Sequence, residues 1–437
     1  MASQTLDMPW GREMLSLRLP ESWTVAGIHE PASLPPAPDA AEEVRRSLQQ
    51  PFGMPRLREL ARPGMRVALV VDDGSRPTPA SVLVGGVLAE LEAAGVARED
   101  ITLVPALGVH RPMTEDELAA RVGPDNFAGL RWENPDGDDP ARLAFLGTTQ
   151  RGTPVRIHKT VAEADVVVSV GCIEPHIIAS FGGGYKNILP GVASREAIAH
   201  NHALNCAPAT FNMVGQPIDR NPMRLDLEEA GRMLTPPVFI VNAVLDSRQQ
   251  VVRVVSGDPI AAHREGVRTS ATLYGVAVPA PADVVITDSN PMNQDLRQGV
   301  KALANTIRAV RRGGVLITLV KADEGVGVFG LANRKLPLGR GALRVLAPLL
   351  LKAIPKMKMR GMGEEDRFFL YFALQAMRHA TLVIYAPTVP AEVRGNLPFV
   401  EFADTPEAAI AHAQRRFPRR AAVRAFPHGG ITFPILE

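Results

Sequence analysis

Cysteine is nearly missing from this chain: Cys172 and Cys206 are the only two in 437 residues. They are too few for a disulfide framework and lack the paired spacing of a zinc knuckle. An excess of one charge sign is missing too. With 48 basic and 46 acidic residues the formal net charge is +2, so no global field gathers nucleic acid. Two local basic runs, Lys352, Lys356, Lys358 and Arg360, then Arg415, Arg416, Arg419 and Arg420, are not interleaved with base-stacking aromatics and read as solvated surface. No apolar run reaches the length of a membrane span, and MASQTLDMPWGRE at the start has neither a basic n-region nor an apolar h-region. The expectation is a cytoplasmic protein that binds neither nucleic acid nor membrane. Short repeats and low-complexity tracts are absent, and Pro35 to Pro38 mark a loop.

What is present is an ordinary globular composition, 46% hydrophobic and 22% charged, in a chain too long for one core. Runs rich in valine and isoleucine read as parallel strands buried on both faces: RVALVVDD, ITLVPAL, DVVVSVG and VFIVNAVLD. Between them SVLVGGVLAELEAAGV and TEDELAARVG have helical patterns, the second opened by Thr114 and Glu117 in capping-box spacing. Pro279 and Pro281 break the pattern before the strand ADVVITDS. A helix from about 295 to 312, stopped by Gly313 and Gly314, is expected next, then VLITLV, helices near 342–352 and 364–378, and TLVIYA. The fold class is therefore α/β, with two α/β domains of mainly parallel sheet, residues 1–277 and 278–437.

The chemistry concentrates between Gly171 and Leu204, GCIEPHIIASFGGGYKNILPGVASREAIAHNHAL. Gly182, Gly183 and Gly184 let backbone approach a ligand closely, and Lys186 follows them. Such a lysine is either a phosphate contact or, when desolvated, a nucleophile toward an activated carboxyl group. His110 in GVHRP and His176 in GCIEPH each follow a strand, where α/β proteins bind ligands. Each is a candidate proton shuttle, against the plain alternative of a structural histidine. His200 and His202 lie close together in AHNHAL, and helical geometry turns them to different sides. Arg76 in DDGSRPTP sits before Pro77 and Pro79, which fix a loop able to present its guanidinium to a carboxylate. Gln298 and Lys301 in SNPMNQDLRQGVK are three apart on one helical face, which a surface helix would also show. The four loops are expected to converge on an interdomain cleft.

Together these segments resemble the lactate racemase family, enzymes that carry a nickel-pincer nucleotide joined covalently to a lysine. The resemblance implies a racemase or epimerase of a small-molecule 2-hydroxy acid, served by pincer-biosynthesis enzymes that deliver the cofactor. It places Lys186 as the tether, His202 rather than His200 as the nickel ligand, and Asp73 near the nucleotide. It makes His110 and His176 the paired acid and base on either side of C2, with hydride passing to the pincer. It assigns Arg76, Gln298 and Lys301 to the substrate, with Arg76 and Lys301 holding the carboxylate. Lactate-specific members have an aromatic residue where Arg297 stands here, and the later aromatic position is Phe368. A substrate larger or more polar than lactate is therefore expected, such as malate, an aryl-lactate or an aldonic acid. Two other readings stay open: a zinc hydrolase built on His110, His176 and His202, and a non-catalytic carrier of the cofactor.

Overall fold

The computed structural model describes residues 4–327, 329–356 and 364–436, so Lys358 and Arg360 of the first basic run lie outside the described residues. Two compact units divide the chain: Ser33–Leu204 with Pro217–Leu273, and Met1–Ala32 with Asn205–Gln216 and Tyr274–Glu437. The division departs from residues 1–277 and 278–437 because strand pairing ignores chain order. Trp23–Ile28 lies parallel to Ala421–Phe426, with Trp23 opposite Ala421, which draws the first residues into the later unit. Asn205–Gln216 joins that unit through Phe211, stacked on Phe372 at 5.7 Å, and Asn212, whose amide donates to the Ala304 carbonyl.

The unit that begins at Ser33 has a six-stranded sheet in the order Val251–Gly257, Val238–Leu245, Val166–Cys172, Val67–Asp72, Ile101–Ala106, Arg131–Trp132. All neighbours are parallel except the first pair. Every residue of Val67–Asp72 and Val166–Cys172 is buried, which is why these strands read as unbroken apolar runs rather than alternating ones. The helix Ala80–Ala93 packs Leu83, Val84, Val87, Leu88 and Leu91 into the same core. The expected capping box forms: Thr114 Oγ1 accepts from Glu117 N at 3.2 Å and Glu117 Oε2 accepts from Thr114 N at 2.9 Å.

The other unit has a wholly parallel sheet, Glu401–Ala403, Thr381–Tyr385, Val310–Leu319, Ala282–Asp288, Ala421–Phe426, Trp23–Ile28. Here the helix expected to run to residue 312 ends at Thr306, and the strand already starts at Val310. Gly313 and Gly314 thus lie within the strand instead of stopping a helix. Gly313 has φ +78°, and a Cβ on Gly314 would sit 2.6 Å from the Asp283 carbonyl where the register shifts. Glycine there permits a bulge.

Candidate active site

In the Ser33 unit the strands run in chain order outward from Val67–Asp72 on one side, while Val166–Cys172 returns to its other side. The crevice at such a reversal, beyond the carboxyl ends of the strands, is where open α/β sheets bind ligands. The loops flanking it carry Asp73 and Arg76 on one side and Glu174 and His176 on the other, and the neighbouring strand Ile101–Ala106 contributes His110.

Side-chain contacts bring these groups together. Arg76 Nη1 pairs with Glu174 Oε1 across the reversal. Burial alone would lower the Arg76 guanidinium, but Glu174 and the neighbouring acids hold it above its ordinary value, so it is a fixed cation. His110 Nδ1 pairs with Asp73 Oδ2, and Asp73 Oδ1 also accepts from Ser75 Oγ at 2.6 Å and Ser75 N at 3.2 Å. Burial would raise the Asp73 carboxyl, yet the bond and charge from His110, with those of Ser75, hold it at about 2. With Asp73 ionised, Nδ1 of His110 is the proton-bearing nitrogen and Nε2 carries the lone pair. Asp73 thus orients His110.

His176 is held the other way round. Pro175–His176 pairs with Ser180–Phe181 in a tight turn, and Nδ1 of His176 accepts from the backbone N–H groups of Ile178 and Ala179 at 3.2 Å each. Its neutral ring therefore carries the proton on Nε2. Asn221, which the sequence reading missed, pins this turn by donating to Ile178 O at 2.7 Å and Ser180 Oγ at 3.0 Å. The two histidines present opposite tautomers.

The three glycines are packed closely within the protein. Gly182, Gly183 and Gly184 are buried, and Gly183 and Gly184 have φ of +74° and +63°. A Cβ on Gly183 would meet Asn242 Oδ1 and Ile173 Cγ1 at 2.7 Å, and one on Gly184 would meet His263 and the Pro259 carbonyl at 3.1 Å. Asn242 Oδ1 accepts from Gly184 N at 2.8 Å. Lys186 then sits in the single turn Gly184–Asn187, half-buried. Burial and the nearby Arg76 and Arg224 charges outweigh Glu174 and Asp73, lowering its amine to about 7.

The helix Arg195–Ala203 separates the other two histidines. Nδ1 of His200 lies 2.9 Å from Thr153 Oγ1, itself bound to Asp226 at 2.7 Å, so His200 is tied into a buried polar network with Asn201. His202 donates from Nδ1 to the Ile198 carbonyl at 2.9 Å, which puts its ring lone pair on Nε2, the tautomer a metal ligand needs. Among the described residues no three His, Cys, Asp or Glu side chains converge as a metal-binding group.

Arg297, Gln298 and Lys301 belong to the other unit, half-buried on the helix Leu296–Thr306, whose Leu296, Gly299, Ala302 and Leu303 face its core. Asp295 caps this helix by accepting from Gln298 N at 2.7 Å. Phe368 is 4% exposed and packs against Phe369 and Phe372 at 6.0 and 6.3 Å, inside that unit's aromatic core.

The lactate racemase N-terminal domain family matches residues 10–212. The lactate racemase of Thermoanaerobacterium thermosaccharolyticum is 30% identical over 329 residues, covering 74% of this chain and 76% of that protein. The lactate racemase of Lactiplantibacillus plantarum is 27% identical over 436 residues, covering 97% and 98%. The solved lactate racemase apoprotein of Thermoanaerobacterium thermosaccharolyticum superposes with a TM-score of 0.84 at 25% identity, covering 99% of this chain and all of that one (100%). A Thermotoga maritima protein shares the fold, with a TM-score of 0.66 at 15% identity over 93% of this chain and 100% of its own. The similarity to a curated relative over most of its length places this chain in the lactate racemase family.

Proposed function

We propose that this member of a racemase family inverts C2 of a 2-hydroxy acid, using a nickel-pincer nucleotide tethered to Lys186. The observation that carries the reading is the state of Lys186: a half-buried amine lowered to about 7 beside Arg76 and Arg224 is substantially uncharged near neutrality, as a nucleophile toward an activated carboxyl group, whose leaving group it displaces, must be. The donor set fits as well. His202 offers one imidazole in the metal-binding tautomer, which suits a metal whose remaining ligands arrive with the cofactor. When bound, that group supplies a reversible two-electron acceptor for the hydrogen on C2.

The chain's own residues handle the proton and the carboxylate. His110, with Nδ1–H held by Asp73, receives the substrate hydroxyl proton at Nε2. His176 donates to the substrate oxygen from its own side as the imidazolium, since a neutral ring giving up its Nε2 proton would be left as an imidazolate; this requires the Ile178 and Ala179 N–H bonds to release Nδ1 so that it can take up a proton. For the opposite enantiomer the two histidines exchange roles. Arg76 keeps one guanidinium nitrogen on Glu174 and offers the others to the substrate carboxylate. Gln298 and Lys301 are further substrate contacts by family resemblance, and Arg297, in place of an aromatic residue, favours a substrate larger or more polar than lactate. Cofactor delivery by pincer-biosynthesis enzymes and a cytoplasmic location complete the proposal. No helix among the described residues is long and apolar enough to cross a membrane.

A zinc hydrolase needs three converging donors, and none converge among the described residues. A passive carrier has no use for a histidine oriented by a buried carboxylate. The test is intact mass and metal content of protein made alongside the pincer-synthesis enzymes, with loss of optical purity followed for single-enantiomer lactate, malate, aryl-lactate and aldonic acids. Wild type should carry the added mass and racemise at least one acid, and Lys186→Ala should do neither. A full-mass adduct on Lys186→Ala would overturn the assignment.

A further inference from the structure

Behind the glycine loop lies a buried cluster around Arg224, whose charge already bears on Lys186. Arg224, on the helix Pro222–Gly231, has none of its surface exposed (0%), an unusual place for a guanidinium. Its two terminal nitrogens both donate to the Gly183 carbonyl, at 3.1 Å each, and the same oxygen accepts the backbone N–H of Lys186 at 3.3 Å. His263, also fully buried, donates from Nε2 to the Gly182 carbonyl at 2.8 Å. Its Nδ1 accepts from Arg224 Nη2 at 3.1 Å and from Arg264 Nη1 at 3.0 Å. Arg224 Nη2 also lies against Nε2 of His263. Burial, with these two cations, pushes the His263 imidazole well below its ordinary range, so the ring stays neutral. Glu228 closes the cluster, 3.1 Å from Arg224 Nε and paired with Arg264 at 2.8 and 2.7 Å. Burial lowers Arg224 to about 10, which leaves it charged at neutrality.

We propose that Arg224 and His263 are positioning residues for the tether: by gripping the Gly183 and Gly182 carbonyls from inside the unit they fix the turn that presents the Lys186 amine for acylation. The proposal rests on Lys186 being the tether. A hydrogen-bonded loop carbonyl needs only one donor, and Gly183 receives three, two of them charged. The Arg224 charge has a second effect on the same amine. Lys186 is faced by Arg76 and Arg224, which disfavour its protonation, and by Glu174 and Asp73, which favour it. Removing Arg224 both loosens the turn and tips that balance toward the ammonium form.

The test uses full-length protein made without the cofactor. Competitive acetylation by isotopically labelled acetic anhydride, read on the Lys186 peptide by mass spectrometry across pH, gives the amine's titration directly. Wild type should show a midpoint near 7. In Arg224→Met the midpoint should rise by about one pH unit, cutting Lys186 labelling at neutral pH about fivefold, while other lysines keep their profiles. If Arg224→Met does not fold, His263→Leu should show the rise and His263→Gln, which keeps a donor toward Gly182, should stay closer to wild type. An unchanged midpoint in folded Arg224→Met, or in His263→Leu where Arg224→Met does not fold, overturns the proposal. Failure of the tether itself looks different: the midpoint would move as stated, yet protein made with the pincer enzymes would carry no mass on Lys186.

Discussion

Replacing Lys186 by methionine should stabilise the protein prepared without cofactor, and the gain should depend on pH in a defined direction. The folded-state amine is lowered from 10.5 to about 7, chiefly by burial and then by Arg76. Between those values the unfolded chain holds a proton that the folded chain has released, so wild-type stability rises with pH across that window. Below about 7 the full penalty of burying the ammonium applies. At about 1.4 kcal/mol per pH unit the displacement sets a ceiling of about 5 kcal/mol. The same displacement that frees the amine at neutrality sets this difference, so the expected effect is several kcal/mol, of the order of the ceiling. Methionine keeps the stem volume and removes the charge, so Lys186→Met should exceed wild type by that amount at about pH 6 and lose the advantage by about pH 10. Urea unfolding of both proteins across pH measures it, because comparison at each pH cancels the other titrating groups. A stability difference that stays constant from acid to alkaline pH would refute the account of Lys186 as a strained, largely neutral amine.

Asp73→Asn should leave the fold intact but lower racemisation by about a hundredfold to ten-thousandfold, since the amide no longer selects the His110 tautomer; a rate within a few-fold of wild type would remove Asp73 from the mechanism. His202→Ala should lose nickel and His200→Ala should keep it, because His200 is bound to Thr153; metal analysis of the two variants decides between them. His110→Ala and His176→Ala should each abolish inversion, yet in a single turnover each should still oxidise one enantiomer and fail with the other. Arg297→Tyr should shift preference toward lactate in the substrate panel, and an unchanged preference would show that Arg297 does not shape the pocket.

The Ser33 unit was largely legible because its central strands are buried on both faces and so spell continuous apolar runs, each ending in a polar motif. That placed Asp73, Arg76, His110 and His176 at the carboxyl ends of neighbouring strands before any contact was known. The partners of these residues were not legible. Nothing in NPMRLDLEEAG marks Arg224 as buried, since the arginine stands on a helix with ordinary polar neighbours and meets the glycine loop only through the fold. A run of glycine signals close approach, but it does not say that the protein's own Asn242 and His263 lie against Gly183 and Gly184. Gly313 and Gly314 show the limit locally, where a helix stop and a strand bulge call for the same residue. Trp23–Ile28 gave no hint of its distant partner, because a parallel edge strand carries no turn to announce it.

The pairing of Trp23–Ile28 with Ala421–Phe426 has a consequence for the order of events during synthesis. Domains fold as units while the chain emerges from its N-terminal end. The unit that carries Asp73, His110 and Lys186 is complete once Leu273 has left the ribosome, whereas Trp23–Ile28 must wait for almost the whole remaining chain before its neighbour exists. Until then its backbone donors and acceptors are an open edge available to any other extended segment. The unit bearing the candidate lysine is thus an early-folding insert, and the unit that encloses it in sequence, with its long loop closure, is the slow step in which misassembly concentrates.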